Sequence, residues 1–369
     1  MNLKKFSKNA VLASIATVLF VSCAKNNDEH KNNDEHVYTP EESKAIVQAT
    51  MDNFYDCMKK LNDGGFADFF YNAFFKKTVN NKGKNQSWSA YLSEKFDAQH
   101  FADALQNTNG FNYQSLKGTY SWNKNKELWE KTANNNNITF NFPATKEATS
   151  NNAVFTVDQY EDFEASYKDK IYRLPVKGHA VATIDGVKVF ELTIKNATYD
   201  KKTNFTMPLT ADVSIYTNPF TTTIKWNRQT PENFIFNFSF SSNEGCATTL
   251  RADIKLNTSD YGNITNMKAI DNISFVATQS ELRIVGNVDV KSINKIEGRE
   301  ITTEEINTFI RADLFKGNSK IADVKYEKEK DSGVIYFIFS DGSKEKAEKY
   351  ISDFEEKITN IFKRFDKNN

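Results

Sequence analysis

The residues able to do chemistry in this 369-residue chain are few and scattered: four histidines, three cysteines and 48 acidic side chains. His100 and His179 lie in the stretch with folding potential, whereas His30 and His36 sit in a polar N-terminal tandem and are at most weak metal ligands. His179 opens a strand-like run, where it reads as a structural or exposed residue and not as a base. The run Glu161-Asp162-Phe163-Glu164 offers carboxylate oxygens, but unpaired carboxylates on a strand or turn usually face solvent. No glycine-rich phosphate loop, HExxH helix, GxSxG elbow or EF-hand loop is present. The sequence therefore names no catalytic residue, no cofactor and no metal ligand set, and the expectation is a protein that is not an enzyme. A glycan hydrolase would need two carboxylates ~5–9.5 Å apart. Trp122, Trp129 and Trp226 would be its aromatic platforms.

Cysteine chemistry is more definite. Cys57 shares a helical face with Phe54 and Leu61, and Cys246 opens a strand-like run. An oxidising compartment permits a Cys57–Cys246 disulfide, with two separate buried thiols as the alternative. Cys23 stands apart. It follows Lys4, Lys5 and Lys8 and a 12-residue, largely apolar run from Ala10 to Val21, too short for a bilayer-spanning helix of ~20 residues. The run ends in Phe20-Val21-Ser22-Cys23, which resembles the lipobox of bacterial lipoproteins. The resemblance implies a signal peptide over 1–22, cleavage between Ser22 and Cys23, and covalent lipid on Cys23. More than one acyl chain, at ~0.8 kcal/mol per buried methylene, makes such anchoring stable.

Residues 23–38 read as a lipidated tether. Lys25-Asn26-Asn27-Asp28-Glu29-His30 repeats as Lys31-Asn32-Asn33-Asp34-Glu35-His36 and contains no large apolar residue to pack. A lysine followed by acidic pairs is similar to the surface-export signal of Bacteroidota lipoproteins; a flexible spacer is the plainer reading, and the two are compatible. The expected location is the outer membrane, lipid-anchored, facing the cell surface or alternatively the periplasm.

The elements that must position the remaining residues follow from periodicity. Thr39-Pro40-Glu41-Glu42 is a capping box with proline at the first helical position. Val47, Met51, Phe54, Met58 and Leu61 then predict a helix to Asn62, with shorter helices around Phe66–Phe74 and Trp88–Leu105. From Gly118 the period becomes two, as in Ile138-Thr139-Phe140-Asn141-Phe142, and Asp185-Gly186 marks a hairpin. Ile301–Phe315 reads as a helix, Ile321–Glu327 and Val334–Phe339 as a strand pair, and Ala347–Phe365 as a long amphipathic helix. The expected fold is α+β in a single body over 39–369. It has a helical section over 39–108, a curved antiparallel β meander over 118–290, and an α/β part over 292–369 whose long final helix packs on the sheet.

Charge excludes one function class: 48 basic against 48 acidic residues leave no basic footprint for nucleic acid. With 30 Phe, 15 Tyr and 4 Trp, the strands could line a cavity or simply fill a core. The expected function is a non-enzymatic binding or scaffold subunit docked on an outer-membrane protein complex. The alternative is a carrier or sensor of an apolar ligand held between sheet and helices, with a surface glycan hydrolase third.

Overall fold

A computed structural model describes residues 36–79, 85–96, 113–167, 170–199, 208–259, 267–329, 332–351, 356, 359–360 and 363–365. The signal peptide, Ser22, Cys23, most of the tandem repeat and His100 lie outside the described residues. The architecture is dominated by one mixed sheet of 16 hydrogen-bonded strands, flanked by short helices and one long one near the N-terminus. The chain divides into two compact units, one of residues 59–222 and 361–369, the other of 1–58 and 223–360.

In the first unit, α2 (Gly65–Phe70) runs into a π-helical turn at Tyr71–Phe75, followed by the hairpin β1 (Lys77–Val79) and β2 (Asn85–Ser87) and by α3 (Trp88–Phe96). The sheet here comprises β3 (Gly118–Asn123), β4 (Leu128–Ala133), β5 (Ile138–Phe142), β6 (Ala153–Tyr167), β7 (Lys170–Ile184), β8 (Val187–Thr198) and β9 (Thr210–Thr217). The hairpin at Asp185-Gly186 has φ of 50° and 80°, the pair of positive angles that a two-residue turn between twisted strands requires.

Below it in sequence, α1 (Pro40–Asp63) opens the second unit and carries the capping box: Thr39 N donates to Glu42 Oε2 (2.8 Å) and Glu42 N to Thr39 Oγ1 (3.2 Å). Its strands are β10 (Phe220–Thr230), which begins within the first unit's residues, β11 (Asn233–Ser242), β12 (Ala247–Leu256), β13 (Ile270–Gln279) and β14 (Leu282–Val288). The helices α4 (Val290–Lys295) and α5 (Thr303–Phe309) come next. They lead to β15 (Ile310–Lys316), β16 (Ser319–Glu329), β17 (Ser332–Ile338) and β18 (Lys344–Lys346).

Three expectations are corrected. The sheet is not wholly antiparallel, because β5 pairs parallel to β3, with Gly118 opposite Ile138 and Ser121 opposite Asn141. The chain leaves β4 at Ala133, and Asn137 accepts a hydrogen bond from Gly118 N (2.8 Å) as it passes the start of β3 to its other side. The long C-terminal helix is absent; the described residues there hold only short helical stretches, including 348–351 and Lys363–Phe365. The residues leading into it are committed to the sheet. Lys344–Lys346 pairs with β17, and Ala347 N donates to Ile335 O (2.9 Å). The helix expected over 301–315 stops at Phe309, because Ile310, Ala312 and Leu314 alternate opposite Val288, Gly286 and Ile284 of β14.

Candidate functional site: an aromatic sheet face

The residues singled out by sequence are placed as follows. Cys57, on the buried side of α1 with Val47, Met51 and Phe54, is disulfide-bonded to Cys246, with Cα atoms 5.6 Å apart. Glu161–Glu164 is held in ion pairs: Arg173 reaches Asp162 and Glu164, each at 2.9 Å, and Lys177 reaches Glu161 at 3.5 Å. Among the described residues no group of three His, Cys, Asp or Glu side chains could hold a metal ion. Trp122 and Trp129 are only 4% and 6% exposed, so neither is a platform for a sugar ring. Trp226 is half-buried against Phe234 and Phe236, with ring centroids at 5.3 and 6.1 Å. His36 sits edge-on to Tyr38.

His179 occupies a more organised setting than its sequence position suggested. Nδ1 lies 2.6 Å from Asp158 Oδ1 and Nε2 lies 3.1 Å from Glu191 Oε1, while Lys188 Nζ binds the other Glu191 oxygen at 2.8 Å. Asp158 reaches the ring because it is the extra residue of a bulge between Val157 and Gln159 in β6. The Glu191 hydrogen bond, then those of Asp158, push the imidazole pKa up against its desolvation, and the Lys188 and His179 contacts push Glu191 down. The arrangement stabilises an imidazolium between two carboxylates.

The second unit presents a different surface. Strand register places Phe234, Ile254, Ile273 and Val288 in one cross-strand row of β11–β14, and Phe236, Ala252, Phe275 and Gly286 in the next. Phe238, Leu250, Ala277 and Ile284 form a third row, and Phe240, Thr248, Gln279 and Leu282 a fourth. Because side chains alternate, these rows share one face of the sheet. The opposite face carries Arg251 chelating Asp253 (3.0 and 2.9 Å) and an Asn272–Ser274–Asn287 hydrogen-bond cluster. One face is thus solvated by its own polar pairs, and the other is apolar apart from Thr248 and Gln279.

Cover over the apolar face fades from β14 towards β11. Phe275, Ala277, Ile284 and Val288 are buried, whereas Phe236, Phe238, Phe240 and Leu250 keep part of their surface in solvent. Gly286 is needed beneath Phe275: a Cβ there would lie 2.3 Å from the ring. At the turn end of the strands, Ser280 Oγ donates to Asn53 of α1 (3.1 Å) and the disulfide fastens α1 to the start of β12. At the other end, α4 begins on Asp289, which accepts from Ser292 N (2.9 Å), and buries Val290 and Ile293. Helices therefore flank both strand ends while Phe236, Phe238 and Phe240 of β11 keep part of their surface in solvent. The face can hold apolar surface.

Sequence reading identified the phenylalanines of β11 but missed Thr248 and Gln279. The signal was available in the alternation Ile273-Phe275-Ala277, which continues to Gln279, a polar residue at an apolar position. No protein-family profile, no curated protein and no solved structure matches the chain.

Proposed function

We propose that this is a lipid-anchored envelope protein that binds an apolar molecule against the β11 face. The observation supporting it is that Phe236, Phe238 and Phe240 keep part of their surface in solvent on the apolar face although Phe275, Ala277, Ile284 and Val288 of β13 and β14 are buried. Apolar area left in water costs ~25 cal/mol per Å², so three adjacent rings in that state favour an occupant. Pockets for small ligands are mostly apolar with a few placed polar groups, which is the composition of this face. Cys23 would hold the protein at the outer membrane through its acyl chains, and residues 23–38 would let the body move away from it.

Docking onto an outer-membrane protein is the second reading, supported by one feature of the first unit. Phe74 is 50% exposed and packs with Phe70 (centroids 5.0 Å) in a group that includes Phe75 and Phe365. Exposed aromatic groups of this kind are typical of protein interfaces.

Native mass spectrometry of the full lipoprotein, extracted in mild detergent, separates the two. A discrete extra mass on the lone chain, beyond its own acyl groups, is the expected result. A stoichiometric membrane protein would favour docking, and a bare chain would overturn both.

A further inference from the structure

Gln279 is 1% exposed and lies on the apolar face of β13, in the row Phe240–Thr248–Gln279–Leu282. Its Oε1 accepts from Thr248 Oγ1 at 3.1 Å. Its Nε2, with two hydrogens to donate, has no acceptor within reach among the described residues. A buried donor without a partner is costly, and native proteins rarely keep one without a use. Thr248 fixes the carboxamide from the oxygen side, so the amide end is the one left to meet something else. Apart from Thr248 its neighbours on this face are hydrocarbon, Leu282 on β14 and Ala277 on β13, with Leu250 diagonal on β12 and Phe240 and Phe238 two strands away on β11.

We infer that Gln279 Nε2 is the polar recognition point of the apolar site, donating to a carbonyl-type oxygen of a ligand whose chain lies over Phe238 and Phe240. This rests on the apolar-ligand reading above and narrows it to a chemical class: an acyl ester, acid or ketone with a hydrocarbon tail. Pure hydrocarbons leave the donor unmet. Amines and ammonium compounds bring hydrogens of their own to a position that already supplies them, and offer it no acceptor once protonated.

The test uses the full lipoprotein in amphipol and displacement of a fluorescent anthracene probe by methyl laurate, dodecane and dodecylamine. Methyl laurate is expected to displace the probe at a concentration about tenfold lower than either competitor, the value of one well-placed hydrogen bond. Gln279→Leu removes the donor at similar volume and is expected to erase that preference, so that methyl laurate and dodecane displace the probe at similar concentrations. Should Gln279→Leu fail to fold, Gln279→Met, an unbranched side chain of similar length, carries the same comparison. Equal displacement by all three molecules, unaltered by the substitution, would overturn the role of Gln279 but leave the apolar site standing. Failure of the probe and every competitor to bind would remove the site itself.

Discussion

The aromatic cluster of the first unit and the aromatic face of the second draw on the same residue types and reach opposite states. Between α3 and β3–β5, Trp88, Phe96, Tyr120, Trp122 and Trp129 are all buried. Their rings meet mostly edge to face, Phe96 against Trp129 at 5.8 Å and 88° and Trp122 against Trp129 at 5.7 Å and 73°. Polar handles are satisfied, with Trp88 Nε1 donating to Pro143 O (2.7 Å) and Trp129 Nε1 to Leu92 O (3.0 Å). On β11 the rings of Phe236, Phe238 and Phe240 keep part of their surface in solvent, and on β13 the buried Gln279 carboxamide keeps an unmet donor. Aromatic content by itself distinguishes nothing; the cover over the rings separates the closed cluster from a face that keeps part of its apolar surface in solvent.

The largest effect expected from breaking this comparison is in the closed cluster. Trp129→Ala should cost about 3–5 kcal/mol, since it removes a buried ring and leaves the Leu92 carbonyl without its donor. Urea unfolding followed by circular dichroism measures it, and a cost below ~1 kcal/mol would show that the cluster tolerates a hole as an open site does. Next in size is the disulfide. Closing a loop between residues 189 apart in sequence stabilises chiefly by constraining the unfolded chain, so the Cys57→Ser, Cys246→Ser pair should lose about 2–5 kcal/mol. The same change releases α1 from the start of β12, and a rise in probe uptake alongside the lost stability is expected.

Phe238→Ala comes third. A half-exposed ring contributes less than a buried one, so the stability cost should be about 1–2 kcal/mol, with probe affinity falling in the same variant. The reverse pattern, a cost as large as that of Trp129→Ala with binding untouched, would make β11 an ordinary core strand and close the distinction between the two regions.

Much of the fold was legible because it rests on local rules. Thr39-Pro40-Glu41-Glu42 starts a helix through its own side chains, and Asp185-Gly186 turns a hairpin through its own backbone angles. What misled was competition between elements. Ala347 and Tyr350 carry a helical spacing, yet the adjacent Lys344–Lys346 is taken by the edge of β17. Ile310, Ala312 and Leu314 suit a helix or a strand, and only the presence of β14 alongside decides. The parallel β3–β5 pair depends on which side of β3 the chain returns to, which no periodicity encodes. For the site, Phe236, Phe238 and Phe240 were visible as a strand face, but their exposure is a property of what covers them. Gln279 acquires meaning only beside Thr248, 31 residues away in sequence.

His179 gives the smallest expected change, because its network is a set of solvent-accessible ion pairs on β6–β8. Its pKa is raised in the folded protein, so the stability it contributes is complete below the unfolded value of 6.5 and is lost as pH rises through the folded value. Glu191 is lowered, so its share is present above 4.5 and is lost as pH falls through its folded value. Both contributions are therefore full between about 4.5 and 6.5, where the imidazolium and the Glu191 carboxylate are both charged. His179→Gln should flatten stability against pH on the alkaline side of that window, measured as urea midpoints at a series of pH values, with probe binding at the β11 face unaltered. A shift in binding would mean that the polar strands of one unit and the open aromatic face of the other respond together, and the two regions could no longer be treated as independent.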